Sequence, residues 1–317
     1  MASNKAYVYT LFKDAGYAIG ILASAKSLRL VKTIHQIVVM VTPDIDEDTR
    51  NDLLLVVDKV VEVPYIRSVL MSRQSDKQKH RYGSFMSELP TKLNCLSLIT
   101  YEKIVLLDAD TIVVQNPDSL FEVEAPAGIW SFFPTTNGGS LTAEVDRISH
   151  GERVPEDSVM NMLDHSFVCW GTGLVLKPNM TDYKKIVHNI KPSFGFPKCH
   201  SSIEEQAFAY YYRNNWKKVS PLYCLIPFKN WHKPGELPYI IHLYSPKPWM
   251  AENRLRWIDF SCFWNIYDSL VSEFPQLSKY IVNENTKNEE TPIVCGWCQK
   301  TDHKLFTNGL VSCPEFN

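Results

Sequence analysis

The sequence predicts an α/β protein built on a mainly parallel sheet with helices on both faces. Two observations carry that expectation. Short β-branched runs alternate with helix-spaced segments through the first 65 residues, and such alternation is the signature of strand-helix-strand units. A later apolar run, Lys103 to Leu107, ends directly in Asp108-Ala109-Asp110, and ligands of α/β sheets gather at the carboxyl ends of the strands.

Taken in order, Ala6 to Phe12 reads as a buried first strand, and Gly16 to Leu30 as a helix with Ile19, Leu22, Ala23 and Leu30 at helical spacing. Gln36 to Thr42 is a second strand stopped by Pro43. Asp46 to Val57 is a second helix with Asp44 or Asp46 as its cap, and Val60 to Val63 a third strand ending at Pro64. Arg67 to Glu88 reads as a loop with a short helix, and Pro90 to Thr100 as a helix. Lys103 to Leu107, Gly128 to Phe133, Phe167 to Leu176 and Tyr239 to Leu243 are further strands. Asp182 to Ile190 and Ile203 to Asn214 are helices. The long polar stretch Pro134 to Ser166 is expected to be a functional lid or acceptor loop, since connections of that length inside a domain are usually functional. Residues 252–282 place Trp257, Phe260, Phe263, Trp264 and Tyr267 at three- and four-residue steps, a helix packing its aromatic face on the core. Asn283 to Thr291 is a polar linker. The division expected is a catalytic domain over 1–250 and a helical, Cys-containing extension over 251–317.

The chain has 317 residues, 45% of them apolar and 21% charged, with a net charge of −2. That composition belongs to a protein with a large core. Lys/Arg clustering is confined to pairs such as Lys217-Lys218, so nucleic acid is not an expected partner. No apolar run approaches the roughly 20 residues of a membrane span, and the first twenty residues do not read as a signal peptide; a cytoplasmic protein without a transmembrane segment is expected. Cys95, Cys169, Cys199, Cys224 and Cys262 sit in apolar or aromatic contexts and are expected as buried free thiols.

Asp108 and Asp110 are the strongest local signal. In an extended segment residues i and i+2 face one side, and two neighbouring carboxylates repel unless a cation joins them. A divalent ion there can neutralise a nucleotide's phosphates; a solvated turn or a helix cap is the bland alternative. His242, after the strand at Tyr239 to Ile241, can add a third ligand, and a mixed oxygen and imidazole set suits Mn²⁺ better than Mg²⁺. In Lys247-Pro248-Trp249 the proline holds Lys247 extended, where its ammonium can stabilise charge on a departing diphosphate.

Five segments resemble glycosyltransferase family 8, the family of glycogenin, galactinol synthase and plant glucuronosyltransferases. They are TLFKDAGYAIGILASAKSL, TKLNCLSLITYEKIVLLDADTIVVQNPDSLF, WGTGLVLKP, EEQAF and IHLYSPKPW, in the family's order within residues 6–249. The resemblance implies a GT-A-type, Rossmann-like nucleotide-binding domain with a mixed, mostly parallel sheet, and a retaining transfer of a hexosyl or glucuronosyl group from a UDP-sugar. It implies Mn²⁺, with Mg²⁺ as the substitute, on Asp108, Asp110 and His242. Thr10, Leu11 and Tyr17 would line the uridine pocket, while Lys92, Ala109, Gly173 and Lys247 would meet the rest of the donor. Glu205 and Gln206 take the place of an Asp-Gln pair beside the reacting carbon, and together with Lys247 are the implied catalytic residues. The chain departs from glycogenin-like members at Asp14-Ala15-Gly16-Tyr17, at Thr172-Gly173 and in the five-residue step from His242 to Lys247. The tyrosine that glycogenin glucosylates has no clear counterpart, so self-glucosylation is not implied.

Two rival readings remain: a catalytically silent UDP-sugar-binding scaffold, and a nucleotidyltransferase, which would want a Gly-rich loop after the first strand. In the tail, Cys295, Cys298, His303 and Cys313 form a candidate structural Zn²⁺ set, with free thiols or a redox pair as alternatives. The acceptor is left open among carbohydrate, polyol, lipid and protein, as is the oligomeric state, a homodimer included.

Overall fold

The computed structural model describes residues 4–13, 15–68, 85–130, 143–165, 167–190, 194–225, 237–243, 247–250, 258–281, 304–305 and 311–312. Its centre is a seven-stranded sheet in the order β3-β2-β1-β4-β7-β6-β8. The strands are β1 (Lys5–Leu11), β2 (Gln36–Val41), β3 (Lys59–Glu62), β4 (Lys103–Leu106), β6 (Ala127–Gly128), β7 (Leu174–Leu176) and β8 (Lys217–Lys218). β5 (Thr111–Val113) pairs instead with β9 (Ile240–His242) in a separate two-stranded sheet, and β10 (Lys304–Leu305) pairs with β11 (Val311–Ser312). β3, β2, β1 and β4 are mutually parallel, while β7 runs antiparallel to β4 and β6. The sheet is thus mixed and mostly parallel.

The period-2 alternation of β1 divides the core. Ala6 and Val8 point to one side, where they join Leu93, Leu96, Trp130, Phe208 and Trp216. Tyr7, Tyr9 and Leu11 point to the other, against Ile19, Leu22, Phe121, Phe263 and Tyr267. Burial on both faces is why β1 and β2 read as nearly unbroken apolar runs.

Helix α1 (Ala18–Leu30) follows a 3₁₀ turn over Ala15–Tyr17 and is buried almost throughout, wedged between β5 and the C-terminal helix. α2 (Glu47–Leu54) starts at Asp46, whose carboxylate accepts from the Thr49 amide at 2.7 Å, a cap worth about 1 kcal/mol. The cap is therefore Asp46, not Asp44. α3 (Ala143–Asp146) and α4 (Glu156–His165) fall where a loop was expected. α4 buries Val159, Met162 and Leu163, an i, i+3, i+4 stripe too short to stand out among its acidic neighbours. α5 (Met180–Asn189) is capped by Asn179, and α6 (Ile203–Tyr211) by Ser202 and Glu205 in a capping box. The aromatic C-terminal segment is α7 (Ile258–Glu273), then a 3₁₀ turn over Pro275–Tyr280. Phe260, Phe263, Trp264 and Tyr267 are buried in the core shared with α1, as the spacing predicted.

Other expectations need correction. Pro90 to Thr100 is a 3₁₀ helix, Leu89–Ser97, not an α-helix. The strand expected over 128–133 is reduced to β6 and a bridge between Trp130 and Cys169; 131–133 lie outside the described residues. The strand expected over 167–176 is interrupted, because Gly173 turns at φ +70°, and only Leu174–Leu176 pairs with β4. Most of Arg67 to Glu88, Trp257, the linker after residue 281 and Cys295, Cys298, His303 and Cys313 lie outside the described residues. Cys95, Cys169, Cys199 and Cys224 are free and buried, and Cys262 is buried. No helix among the described residues is long and apolar enough to cross a membrane.

Candidate active site

The site forms where β4 leaves the sheet. After Leu106 the chain turns through Ala109 and Asp110 before entering β5. Thr111 Oγ1 donates to the Asp108 carbonyl at 2.8 Å, and the Asp108 amide donates to Thr172 Oγ1 at 3.0 Å. The aspartates thus sit in a turn held from two sides and not in the extended segment expected, yet their carboxylates still converge.

His242 arrives by strand pairing. β9 is antiparallel to β5 with His242 opposite Thr111, and the Leu243 amide donates to the Asp110 carbonyl at 2.7 Å. The imidazole is 2% exposed. Its Nε2 lies 3.1 Å from Asp110 Oδ1 and 3.9 Å from Asp108 Oδ2. One ligand atom each from Asp108, Asp110 and His242 fall within 4.8 Å of one another. On the far edge of the ring, Nδ1 is 3.4 Å from Cys224 Sγ, and Trp170 stands edge-on at 5.6 Å between centroids. With a cation bound, a hydrogen on Nδ1 directed at the sulfur would leave the Nε2 lone pair for the metal, the tautomer a ligand needs.

Two lysines converge on the same carboxylates. Lys92, from the 3₁₀ helix, donates to Asp108 Oδ1 at 2.5 Å. Lys247 is buried and bonds Asp110 Oδ2. Pro248 is followed by Trp249, whose ring packs near Tyr17 and Phe263, both at 5.5 Å, and against Gly20 of α1. That wedge fixes the approach of Lys247. Burial alone would raise the Asp110 pKa, but Lys247 and His242 hold it well below the usual carboxylate range. Burial likewise opposes charge on His242, but Asp110 keeps its pKa well above normal.

The remaining residues singled out in the sequence divide into two groups. Thr10 and Leu11 close the carboxyl end of β1; Leu11 is buried and Thr10 Oγ1 is buried without a hydrogen-bond partner. Tyr17 covers the Trp249 ring, and Gly173 keeps its turn by bonding the Leu106 carbonyl at 2.8 Å. Glu205 and Gln206, in contrast, are occupied by the backbone. Glu205 Oε1 accepts from the Gly171 amide at 2.7 Å and Oε2 from the Ser202 amide at 2.9 Å. Gln206 accepts from the Phe196 amide at 2.9 Å and donates to the Ser201 carbonyl at 2.7 Å. Sequence reasoning passed over Glu204, Thr172 as a partner of Asp108, and Cys224 beside His242. The doubled acid of EEQ was the one visible signal for Glu204; the other two contacts have none. Asp14 lies outside the described residues.

Residues 8–162 match the model of glycosyl transferase family 8. The chain is 34% identical to glycogenin-1 of Oryctolagus cuniculus over 122 residues, 38% of this chain and 35% of that one. It is 24% identical to galactinol synthase 7 of Arabidopsis thaliana over 266 residues, 78% of this chain and 74% of that one. An uncharacterized protein of Acanthamoeba polyphaga mimivirus is 25% identical over 300 residues, 86% of this chain and 96% of that one. The match to glycogenin-1 therefore spans about a third of that relative, whereas the viral protein is matched along nearly its whole length. Among solved structures, the apo bifunctional glycosyltransferase WbbM aligns with a TM-score of 0.54 at 12% identity, covering 88% of this chain and 51% of that one. An active-site mutant of LgtC aligns with a TM-score of 0.50 at 12% identity, covering 89% and 98%. The shared architecture is the GT-A fold.

Proposed function

We propose that this chain, whose residues 8–162 match the model of glycosyl transferase family 8, transfers a hexosyl or glucuronosyl group from a UDP-sugar to an acceptor, with retention at the anomeric carbon. The observation that carries the reading is the convergence of Asp108, Asp110 and His242 within 4.8 Å at the carboxyl edge of the sheet, with Lys92 and Lys247 beside them. Two carboxylates and one imidazole fit a divalent cation, and the imidazole favours Mn²⁺ over Mg²⁺. Such a cation supplies Lewis-acid charge that offsets a diphosphate leaving group.

The protein's own groups do the rest. Thr10, with its buried unsatisfied hydroxyl oxygen, Leu11 and Tyr17 receive the uridine. Lys247, delivered by the Trp249 wedge, holds negative charge on the departing phosphate. Lys92, Ala109 and the turn at Gly173 border the donor sugar. The buried free thiols fit a reducing, cytoplasmic setting. The acceptor is one of carbohydrate, polyol, lipid or protein, approaching past residues 134–166.

Retention has two routes, a carboxylate nucleophile or front-face attack within an ion pair. Both oxygens of Glu205 and both ends of the Gln206 amide are engaged by backbone groups, which favours front-face attack with Glu205 positioning the Gly171 turn. Glu205→Gln keeps an acceptor oxygen for one of its two amides. It is expected to lower turnover by no more than about tenfold and to accumulate no glycosyl-enzyme by mass spectrometry; loss of a nucleophile would cost on the order of 10³-fold or more.

The experiment that tests the function is UDP release from a panel of UDP-sugars, with and without Mn²⁺. Turnover of one donor that depends on the metal is the expected result and names the sugar. Metal-linked binding of UDP without turnover would favour the silent scaffold, and no UDP binding by calorimetry would overturn the assignment.

A further inference from the structure

Asp108 and Asp110 each meet an ammonium group, and a divalent cation competes for the same lone pairs. A dication and an ammonium on one carboxylate also repel each other, strongly so away from water. Lys247 has an evident second partner in the phosphates of the proposed donor. Lys92 is largely enclosed, its side chain 13% exposed, so it needs a second acceptor inside the protein.

Glu204 offers one. It is 1% exposed, in the first turn of α6, which packs on the 3₁₀ helix that carries Lys92. Its Oε1 accepts from the Ser202 hydroxyl at 2.7 Å, whereas its Oε2 is buried with no hydrogen-bond partner among the described residues. A buried acceptor left unmatched is costly and rare. Its neighbour cannot substitute, because both Glu205 oxygens already hold backbone amides. Although burial opposes its charge, Lys92 has its pKa held up by Asp108 first and Glu204 next. Burial, opposed by Lys92 and reinforced by Glu205, pushes the Glu204 carboxyl up to about 7.

We propose that Glu204 is the second seat of Lys92: when a divalent cation takes the Asp108 oxygen, the Lys92 ammonium turns to the free Oε2 of Glu204. Glu204 is then a positioning residue for metal loading, acting through Lys92 and touching neither metal nor sugar. The inference rests on the metal site proposed above.

The test is titration of Mn²⁺ alone into the full chain, followed by calorimetry and by the electron paramagnetic resonance signal of free Mn²⁺. Glu204→Gln is expected to weaken Mn²⁺ binding by about tenfold, the lower end of what groups behind a ligand contribute. Lys92→Met removes the competitor and is expected to tighten binding by a comparable factor. In the Lys92→Met background, Glu204→Gln is expected to change the affinity by less than about twofold, because the lysine it serves is gone. Wild-type affinity in Glu204→Gln, or equal weakening in both backgrounds, would overturn the proposal while sparing the metal site. Failure of the wild-type chain to bind Mn²⁺ would sink both. Should Glu204→Gln fail to fold by circular dichroism, Lys92→Met decides alone: tighter binding supports the proposal, and unchanged or weaker binding overturns it.

Discussion

Replacing Asp110 by alanine is expected to abolish Mn²⁺ binding and to lower donor turnover by about a thousandfold or more. Asp110 is the hinge of the whole cluster: one oxygen faces His242 Nε2 at 3.1 Å and the other holds Lys247. Its removal takes away a proposed ligand and leaves two buried groups of positive character side by side. Losing one partner of a buried charged pair costs about 3–5 kcal/mol, so Asp110→Ala should also melt at a lower temperature. Asp110→Asn separates the two effects. It retains shape and polar contacts and should fold more nearly like the native chain, yet it lacks the charge that a divalent cation requires. Thermal melting, Mn²⁺ titration and UDP release on the three proteins form the test. Manganese-dependent turnover in Asp110→Asn at the native rate would contradict the assignment of this residue.

Gly20→Ala should have the second largest effect, and at a position no chemistry occupies. In an ordinary helix the change would stabilise by about 0.8–1 kcal/mol. Here an added Cβ would lie 2.5 Å from the Ala109 carbonyl oxygen and 2.7 Å from the Trp249 ring. The first of these is backbone and cannot swing aside; it lies between the two aspartates. The second is the wedge that delivers Lys247. The expected outcome is a stability loss of about 2–3 kcal/mol from overpacking, read from the denaturant midpoint, together with weaker Mn²⁺ binding. A Gly20→Ala protein with raised stability and native metal affinity would show that α1 does not set the height of the aspartate turn.

Much of this was legible before any coordinates. The β-branched runs at Ala6 to Phe12 and Gln36 to Thr42 marked strands because burial on both faces demands continuous apolar residues. The Asp-x-Asp at the end of an apolar strand marked the candidate site, since parallel strands place ligands at their carboxyl ends. The aromatic spacing in the C-terminal helix identified its core face. Elements whose identity depends on distant partners were less legible. α4 hides among acidic residues because four buried side chains make a weak period. β8 is two lysine residues that count as a strand because β6 and Arg153 pair with them. Glu205 and Gln206, read by resemblance as residues of the reacting centre, spend their polar atoms on backbone groups of Gly171, Ser202, Phe196 and Ser201, bonds that no local pattern announces.

By itself, then, the amino-acid order determined the class of fold, the strand ends that bear chemistry and the types of ligand available, because those follow from periodicity and side-chain character within a few residues. Only the tertiary structure decided that the candidate ligands meet. Asp110 and His242 are 132 positions apart, and they touch because β5 and β9 pair antiparallel with Thr111 opposite His242. Register is a property of two strands at once: a slip of one residue would turn the imidazole to the opposite face. The same holds for Glu204, whose unmatched oxygen exists only because α6 packs an acidic first turn against the helix that bears Lys92.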